Sequence, residues 1–327
     1  MRLIFMGTPQ FAVPTLEALA AARAPGRLAP EGVEIVAVVT RPDKPAGRGK
    51  GIMVSPVKER AQTLGLPVWQ PGSLRRPENL EELRRLAPDL IIVAAFGQIL
   101  RREMLELPRL GCLNVHASLL PRHRGASPIA AAILAGDHET GITIMRMDEG
   151  LDTGAILAQR SIPIAPDDTT GSLGEKLSHL GAALLLETLP RWLSGALTPQ
   201  PQDEAQATQT QLLKKEDGII NWQLPAETLA RQVRAYAPWP GTTTNWRGKT
   251  LKILRATALE PVENERRDEP AGSVSLLTID GKQTMAARCG QGLLRLDVIQ
   301  LEGKRALSAD EFLRGQSAIV GTLLGNG

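Results

Sequence analysis

Cysteine is almost missing from this chain: Cys112 and Cys289 are the only two in 327 residues, far apart and in no CxxC pair. A disulfide framework and a cysteine-ligated zinc site are thereby excluded, and a reducing compartment fits. Long apolar runs are missing as well. The start, Met-Arg-Leu-Ile-Phe-Met-Gly, is too short for a secretory leader, and the longest later run, Leu90 to Phe96, could not span a bilayer. The reading is a soluble, cytoplasmic protein. No Gly-x-Gly-x-x-Gly follows the first apolar run, and no Gly-x-x-x-x-Gly-Lys-Ser/Thr occurs, so hydride transfer and nucleotide hydrolysis lose their main support. A charge excess is nearly missing too, since the formal net charge is +3. That excess lies wholly in residues 208–327, with 16 Lys and Arg against 13 Asp and Glu, a mild hint of a polyanionic partner.

What is present is material for cores. Apolar residues make up 43% of the chain, enough at this length for two domains. Residues 3–6, 33–40, 89–96 and 110–117 are short apolar runs with helical patterns between them, as at 12–23. This alternation predicts a doubly wound parallel α/β sheet. Ser55-Pro56 reads as a helix N-cap with Pro in the first turn, and Pro77 opens a segment with acids early and arginines late. Residues 141–147 and 155–163 read as further strands and 169–194 as a long helix, where the first domain, 1–194, closes. Residues 195–211 have linker composition. The second domain, 212–327, reads as a helix at about 225–235 and strands at 242–246, 250–258, 272–279, 283–288 and 293–301. Asp280-Gly281 signals a hairpin, and Ser308 with Glu311 a capping box. Strands this close suggest a small OB-like β-barrel.

The chemistry concentrates in Asn114-Val115-His116, followed by Ser118-Leu119-Leu120-Pro121 and later Gly150-Leu151-Asp152-Thr153-Gly154. In a strand, the period of two puts Asn114 and His116 on one face at the C-terminal end, where open α/β sheets bind ligands. The bland alternative is a satisfied core histidine; a neighbouring amide on the same face needs partners of its own, which a substrate can supply. Asp152 is either a turn-forming residue or the carboxylate that completes the set. An amide donor, an imidazole and an acid suit acyl transfer through a tetrahedral oxyanion. His123, His138 and His179 read as surface or packing residues. The segment 41–51 holds Arg41, Lys44, Arg48 and Lys50 with one acid, and is either a solvated loop or one that closes on phosphates. Trp222, Trp239 and Trp246 are candidates for stacking on bases, but the core is the favoured reading.

Taken together, residues 4–14, the loop 41–51 with Ser55-Pro56-Val57-Lys58, Asn114-x-His116-x-Ser118-Leu119-Leu120-Pro121-x-x-Arg124-Gly125-Ala126-x-Pro128-Ile129, Gly141–Met145, Gly150–Gly154, Ile220-Asn221-Trp222 and Arg234–Gly241 resemble the methionyl-tRNA formyltransferase family. The resemblance implies a Rossmann-like formyltransferase domain that takes the formyl group from 10-formyltetrahydrofolate without a metal, and an OB-like domain that helps hold initiator tRNA. It further implies that Asn114, His116 and Asp152 are catalytic and that Ser118, Leu119, Leu120 and Pro121 form the turn that places them. Folate is expected at that same turn, Ser118 to Pro121, and against backbone at Ala94, Phe96 and Gly97, and tRNA at Arg41, Lys44, Arg48 and Lys50. A monomer is expected. Gln10 stands where the family usually carries an acid, and His123 where a bulky aromatic is common.

The Asn-x-His and Leu-Asp-Thr-Gly motifs are shared with formyltransferases of glycinamide ribonucleotide and of nucleotide sugars, so they specify the reaction and leave the acceptor to the basic loop and the second domain. Two rival readings remain at this stage: a small-amine formyltransferase, and a non-catalytic nucleic-acid-binding protein with a remnant α/β domain.

Overall fold

In the computed structural model the described residues are 1–46, 51–259, 269–279 and 281–325. The apolar runs of the N-terminal half become strands because each can bury both faces. β1 (Arg2–Gly7) and β2 (Glu34–Val39) are buried at every position beyond their first one or two residues. The short hairpin β3 (Lys44–Ala46) and β4 (Gly51–Met53) follows, then β5 (Val68–Trp69), which the apolar pattern had not revealed. β6 (Leu90–Ala94) is buried throughout and β7 (Cys112–His116) at all but one position. A fully buried Leu or Ile of this kind contributes about 1.5–3 kcal/mol. The helices between them are α1 (Val13–Ala21), α2 (Pro56–Thr63), α3 (Pro77–Leu86) and α4 (Arg102–Leu105). Ser55 caps α2 by accepting from Lys58 N at 3.1 Å, as its sequence position predicts.

After β7 come the two-residue strand β8 (Arg124–Gly125), helix α5 (Pro128–Ala135), β9 (Glu139–Arg146), β10 (Ile156–Pro163) and helix α6 (Thr170–Leu193). The main sheet runs β10-β9-β7-β6-β1-β2-β5. Its five strands from β7 to β5 are parallel, whereas β9 is antiparallel to β7 and β10 antiparallel to β9. The expected parallel sheet therefore carries an antiparallel edge. The physical reason at that edge is the short 147–155 connection, which lets a chain reverse but not cross over.

Close packing divides the chain into two units. The first comprises Met1–Pro128, Glu139–Pro163 and Leu173–Gln211; the second comprises Ile129–His138, Ile164–Ser172 and Leu212–Gly327. Residues 195–211 pack within the first unit. Gln200 bridges Ile156, and β11 (Gln209–Thr210) pairs in parallel with β8. The Gln and Thr residues that give this segment its linker composition are the ones that make the bonds.

The second unit holds α7 (Ala226–Ala235) and the strands β12 (Thr242–Trp246), β13 (Lys249–Leu259), β14 (Val274–Ile279), β15 (Lys282–Arg288), β16 (Leu293–Leu301) and β17 (Leu307–Ser308), then α8 (Ala309–Gln316). They form an antiparallel sheet in the order β12-β13-β16-β15-β14, with β17 on β16. Its core gathers Trp222, Leu229, Val233, Trp246, Leu251 and Phe312. Ser308 and Glu311 make the expected capping box on α8. Gly281 lies between β14 and β15; Asp280, its partner in the hairpin signal, is outside the described residues.

Trp222 and Trp246 are core, their indole N–H groups donating to Thr244 and Thr322. Trp239 is not: it is 54% exposed. Pro238 and Pro240 flank it and lack the N–H that a strand needs, so the segment turns ahead of β12 and leaves the indole outside.

Candidate active site

Asn114 and His116 lie on one face of β7 at its C-terminal end, with Met145 and Thr143 as their partners on β9. Asp152 reaches the same place from the loop between β9 and β10. Asn114 Nδ2 donates to Asp152 Oδ1 in a long bond of 3.4 Å, and His116 Nδ1 is 3.6 Å from Asp152 Oδ2. The three groups of the candidate catalytic set thus converge, at separations that a substrate complex can shorten.

Backbone groups that the sequence does not advertise complete the site. His116 Nε2 is 3.0 Å from the carbonyl of His123. A carbonyl only accepts, so Nε2 carries hydrogen and donates, leaving Nδ1 as the nitrogen that faces Asp152. The carbonyl is turned inward because His123 has φ +58, a left-handed conformation held by its N–H donating to Thr208 Oγ1 at 2.8 Å. The N–H of Gly125 donates to Asp152 Oδ2 at 2.8 Å. Gly125 has φ +107, and a Cβ there would lie 2.5 Å from the Thr210 carbonyl. Only glycine fits a close approach of this kind.

Asp152 itself has φ +55, a region that Asp tolerates better than most residues. Its loop is closed by Asp148 Oδ1, which accepts from Gly150 N at 3.1 Å and Thr153 Oγ1 at 2.6 Å. At Gly154 any side chain would run into the Arg146 carbonyl. Gly154 is therefore a steric requirement of the loop that carries the carboxylate, and at Gly150 a Cβ would meet the Thr153 side chain.

Ser118, Leu119, Leu120 and Pro121 form the turn beneath. Ser118 is fully buried and donates to the Arg122 carbonyl at 2.6 Å. Thr143 Oγ1 donates to Ser118 O at 2.7 Å and accepts from Leu120 N at 3.1 Å, while Gln159 donates to Leu120 O at 2.8 Å. Strands β9 and β10 thus hold the turn. Ala94 and Phe96 are buried, backbone included, whereas their neighbours Ala95 and Gly97 are exposed. Ala95 and Gly97 have φ +47 and +76, and Thr8 Oγ1 donates to Phe96 O at 3.2 Å.

Arg41 is exposed and lies against that segment: a Cβ on Gly97 would be 3.6 Å from its Nη1. Lys44 is the first residue of β3, opposite Met53. Arg48 and Lys50 lie outside the described residues. The one acid of the basic loop, Asp43, is engaged by Lys58 Nζ at 2.5 Å and Gln70 Nε2 at 2.8 Å, and these bonds hold its carboxyl below the usual range. Among the departures from the family pattern, Gln10 is exposed and His123 is buried. No cluster of three or more His, Cys, Asp or Glu suited to a metal occurs among the described residues, and no described helix is long and apolar enough to cross a membrane.

Sequence reasoning quoted Arg124 in the motif without giving it a role, and it did not single out Gln202 or Glu204. Arg124 is 2% exposed; its Nε and Nη2 donate to Gln202 Oε1 at 3.0 and 2.8 Å, and its Nη1 and Nη2 to Glu204 at 2.9 and 2.7 Å. The bond to Glu204 raises the Arg124 guanidinium's proton affinity, with smaller contributions from the charges of Asp148 and Asp152, and it lowers the Glu204 carboxyl. The signal available in sequence was the Arg-Gly pair that begins eight residues beyond the strand.

Residues 1–189 match the formyl transferase family model and residues 212–317 that of the formyl transferase C-terminal domain. The chain is 48% identical over 326 residues to the methionyl-tRNA formyltransferase of Roseiflexus castenholzii, covering 99% of each chain. It is 47% identical to that of Methylococcus capsulatus over 99% of this chain and 100% of the relative. In fold it is similar to an N-formyltransferase from Helicobacter canadensis solved with folinic acid and dTDP-3-aminofucose (TM-score 0.63, 19% identity, 90% of this chain and 98% of that one). It is similar also to phosphoribosylglycinamide formyltransferase from Bacillus halodurans (TM-score 0.50, 27% identity, 60% of this chain and 97% of that one). The fold is common to formyltransferases of several acceptors and does not choose among them. The full-length identity does: this chain is a formyltransferase and belongs to the methionyl-tRNA formyltransferase family.

Proposed function

We propose that this chain transfers the formyl group of 10-formyltetrahydrofolate to the α-amine of methionyl-initiator tRNA, and that Asn114, His116 and Asp152 carry the step. The observation behind the assignment is the convergence of the amide and the imidazole on one carboxylate, at 3.4 and 3.6 Å, at the C-terminal rim of the sheet. The neutral amine attacks the formyl carbon. The bond from that carbon to folate N10 breaks once the tetrahedral oxyanion collapses, and the proton lost by the amine replaces the formyl group on N10. Asn114 donates to the oxyanion. His116, protonated on both nitrogens and anchored through Nε2, offers Nδ1–H to the same oxygen or passes a proton across the site. Asp152 holds that imidazole face and receives the amine's proton, directly or through water.

The donor lies against the exposed residues Ala95 and Gly97 and the turn 118–121, and the formyl carbon then faces β7. The basic loop meets tRNA phosphates through Arg41, Lys44, Arg48 and Lys50, with Asp43 already neutralised by Lys58. Trp239 offers an exposed ring to an unpaired base. The reaction takes place in the cytoplasm, in a monomer and without a metal. The test is to mix the protein with 10-formyltetrahydrofolate and charged initiator or elongator methionyl-tRNA and follow formyl transfer. Preferential formylation of the initiator supports the reading; formylation of a free nucleotide-sugar amine with neither tRNA formylated would overturn it.

A further inference from the structure

Asp152 is held from two sides, and only one of them is the Gly125 N–H already described. The loop 148–154 leaves the sheet, so the carbonyls of Asp152 and Gly154 lack strand partners. Both are met by one side chain: Gln202 Nε2 donates to Asp152 O at 2.8 Å and to Gly154 O at 2.7 Å. Gln202 Oε1 meanwhile accepts twice from Arg124. A glutamine amide has two N–H donors and two acceptor lone pairs, and here all four are used. Arg124 is the neighbour of Gly125, whose N–H binds the Asp152 carboxylate. A closed ring results, running from the carboxylate through Gly125, Arg124 and Gln202 back to the Asp152 carbonyl, with β11 on β8 and Gln200 on Ile156 fixing the segment that carries Gln202.

We infer that Gln202 is a positioning residue for formyl transfer, acting on Asp152 through the loop carbonyls and Arg124 while touching none of the reacting groups. Truncating its amide strands two carbonyls and part of a buried guanidinium, and leaves a non-glycine residue at φ +55 without its tether. A carboxylate displaced by about 1 Å can cost on the order of a hundredfold in turnover. The inference rests on the proposed role of Asp152.

The experiment uses the full chain, 10-formyltetrahydrofolate and methionyl-tRNA, comparing wild type, Gln202→Ala, Gln202→Glu, Asp152→Asn and the double variant Gln202→Ala with Asp152→Asn. Thermal melting of each accompanies kcat and KM. Gln202→Glu keeps an acceptor for Arg124 but loses both donors and sets a carboxylate oxygen against the two loop carbonyls, so kcat falls as in Gln202→Ala, and the Tm of each variant fixes an assay temperature at which it is folded. The expected loss in kcat is about 10- to 100-fold, with KM for both substrates within about threefold. In the Asp152→Asn background, Gln202→Ala adds less than about twofold, as for residues acting through one group. If Asp152→Asn is slow but both single Gln202 variants keep wild-type kcat, or if the losses multiply in the double variant, the positioning role is overturned. If Asp152→Asn itself turns over normally, the reading of Asp152 falls and takes this inference with it.

Discussion

Gly125→Ala tests the geometry of the site where it leaves least room. The residue sits at φ +107, outside the regions open to alanine, which costs about 1–3 kcal/mol. The new Cβ would stand 2.5 Å from Thr210 O and 3.0 Å from Thr210 Oγ1, well inside the roughly 3.5 Å of ordinary non-bonded contact. The first of those atoms is backbone, paired in β11, and cannot rotate away. Relieving the overlap adds about 1–3 kcal/mol. The total of about 2–6 kcal/mol corresponds to a fall of roughly 5–20 °C in the melting temperature of the first unit. The shift that relieves the clash also moves the N–H that holds the Asp152 carboxylate, so kcat should fall at least about tenfold at temperatures where the variant is folded. Gly26→Ala is the control, since φ is +78 and nothing lies within 4 Å of its Cβ; it should carry about 1–2 kcal/mol of backbone strain alone and leave turnover intact. Scanning calorimetry with steady-state formyl transfer reads both quantities. A Gly125→Ala protein that melts and turns over like wild type would refute the reasoning.

Asn114→Ala, His116→Ala and Asp152→Ala should each lower kcat by about a hundredfold or more while folate binding, followed by calorimetry, survives; near-normal turnover removes that residue from the mechanism. Neutralising Arg48 and Lys50 should raise KM for tRNA and reduce the slope of its salt dependence by about two, one for each lost phosphate contact; an unchanged slope returns the loop to solvent. Trp239→Ala should raise KM for tRNA by roughly five- to a hundredfold through loss of stacking, with KM for folate unchanged; an unaltered tRNA KM leaves that ring without a role. Burial pushes the Cys112 thiol up to about 12, so it remains protonated at neutral pH; it should resist a thiol reagent in the native protein and react once denatured, and rapid native labelling at Cys112 would contradict its burial.

Local pattern carried a large share of this structure. Runs such as Leu90–Ala94 announce strands because burying both faces demands unbroken apolar sequence, and Ser55-Pro56 and Ser308-x-x-Glu311 mark helix starts because their caps bond within one turn. Asn114 and His116 were legible for the same reason, since alternation along one strand places them together whatever surrounds the strand. The tertiary structure alone decided what joins distant pieces of chain. Asp152 meets His116 only because the loop between two antiparallel strands folds back over β7, and no periodicity records that approach. The His123 carbonyl and the Gly125 N–H are backbone groups, which every residue possesses, so composition cannot single them out. Gln202 sits in a stretch whose polar residues read as a solvated linker, and the same hydrogen-bonding capacity that suits water serves here to tie β8 to the catalytic loop. Trp239 went the other way: its chemistry favours a core, but the prolines on either side deny it a strand, and only the folded chain shows the ring left in solvent. Patterns within a segment are set by local sterics and solvation, whereas partners from different segments are chosen by the packing of the whole unit.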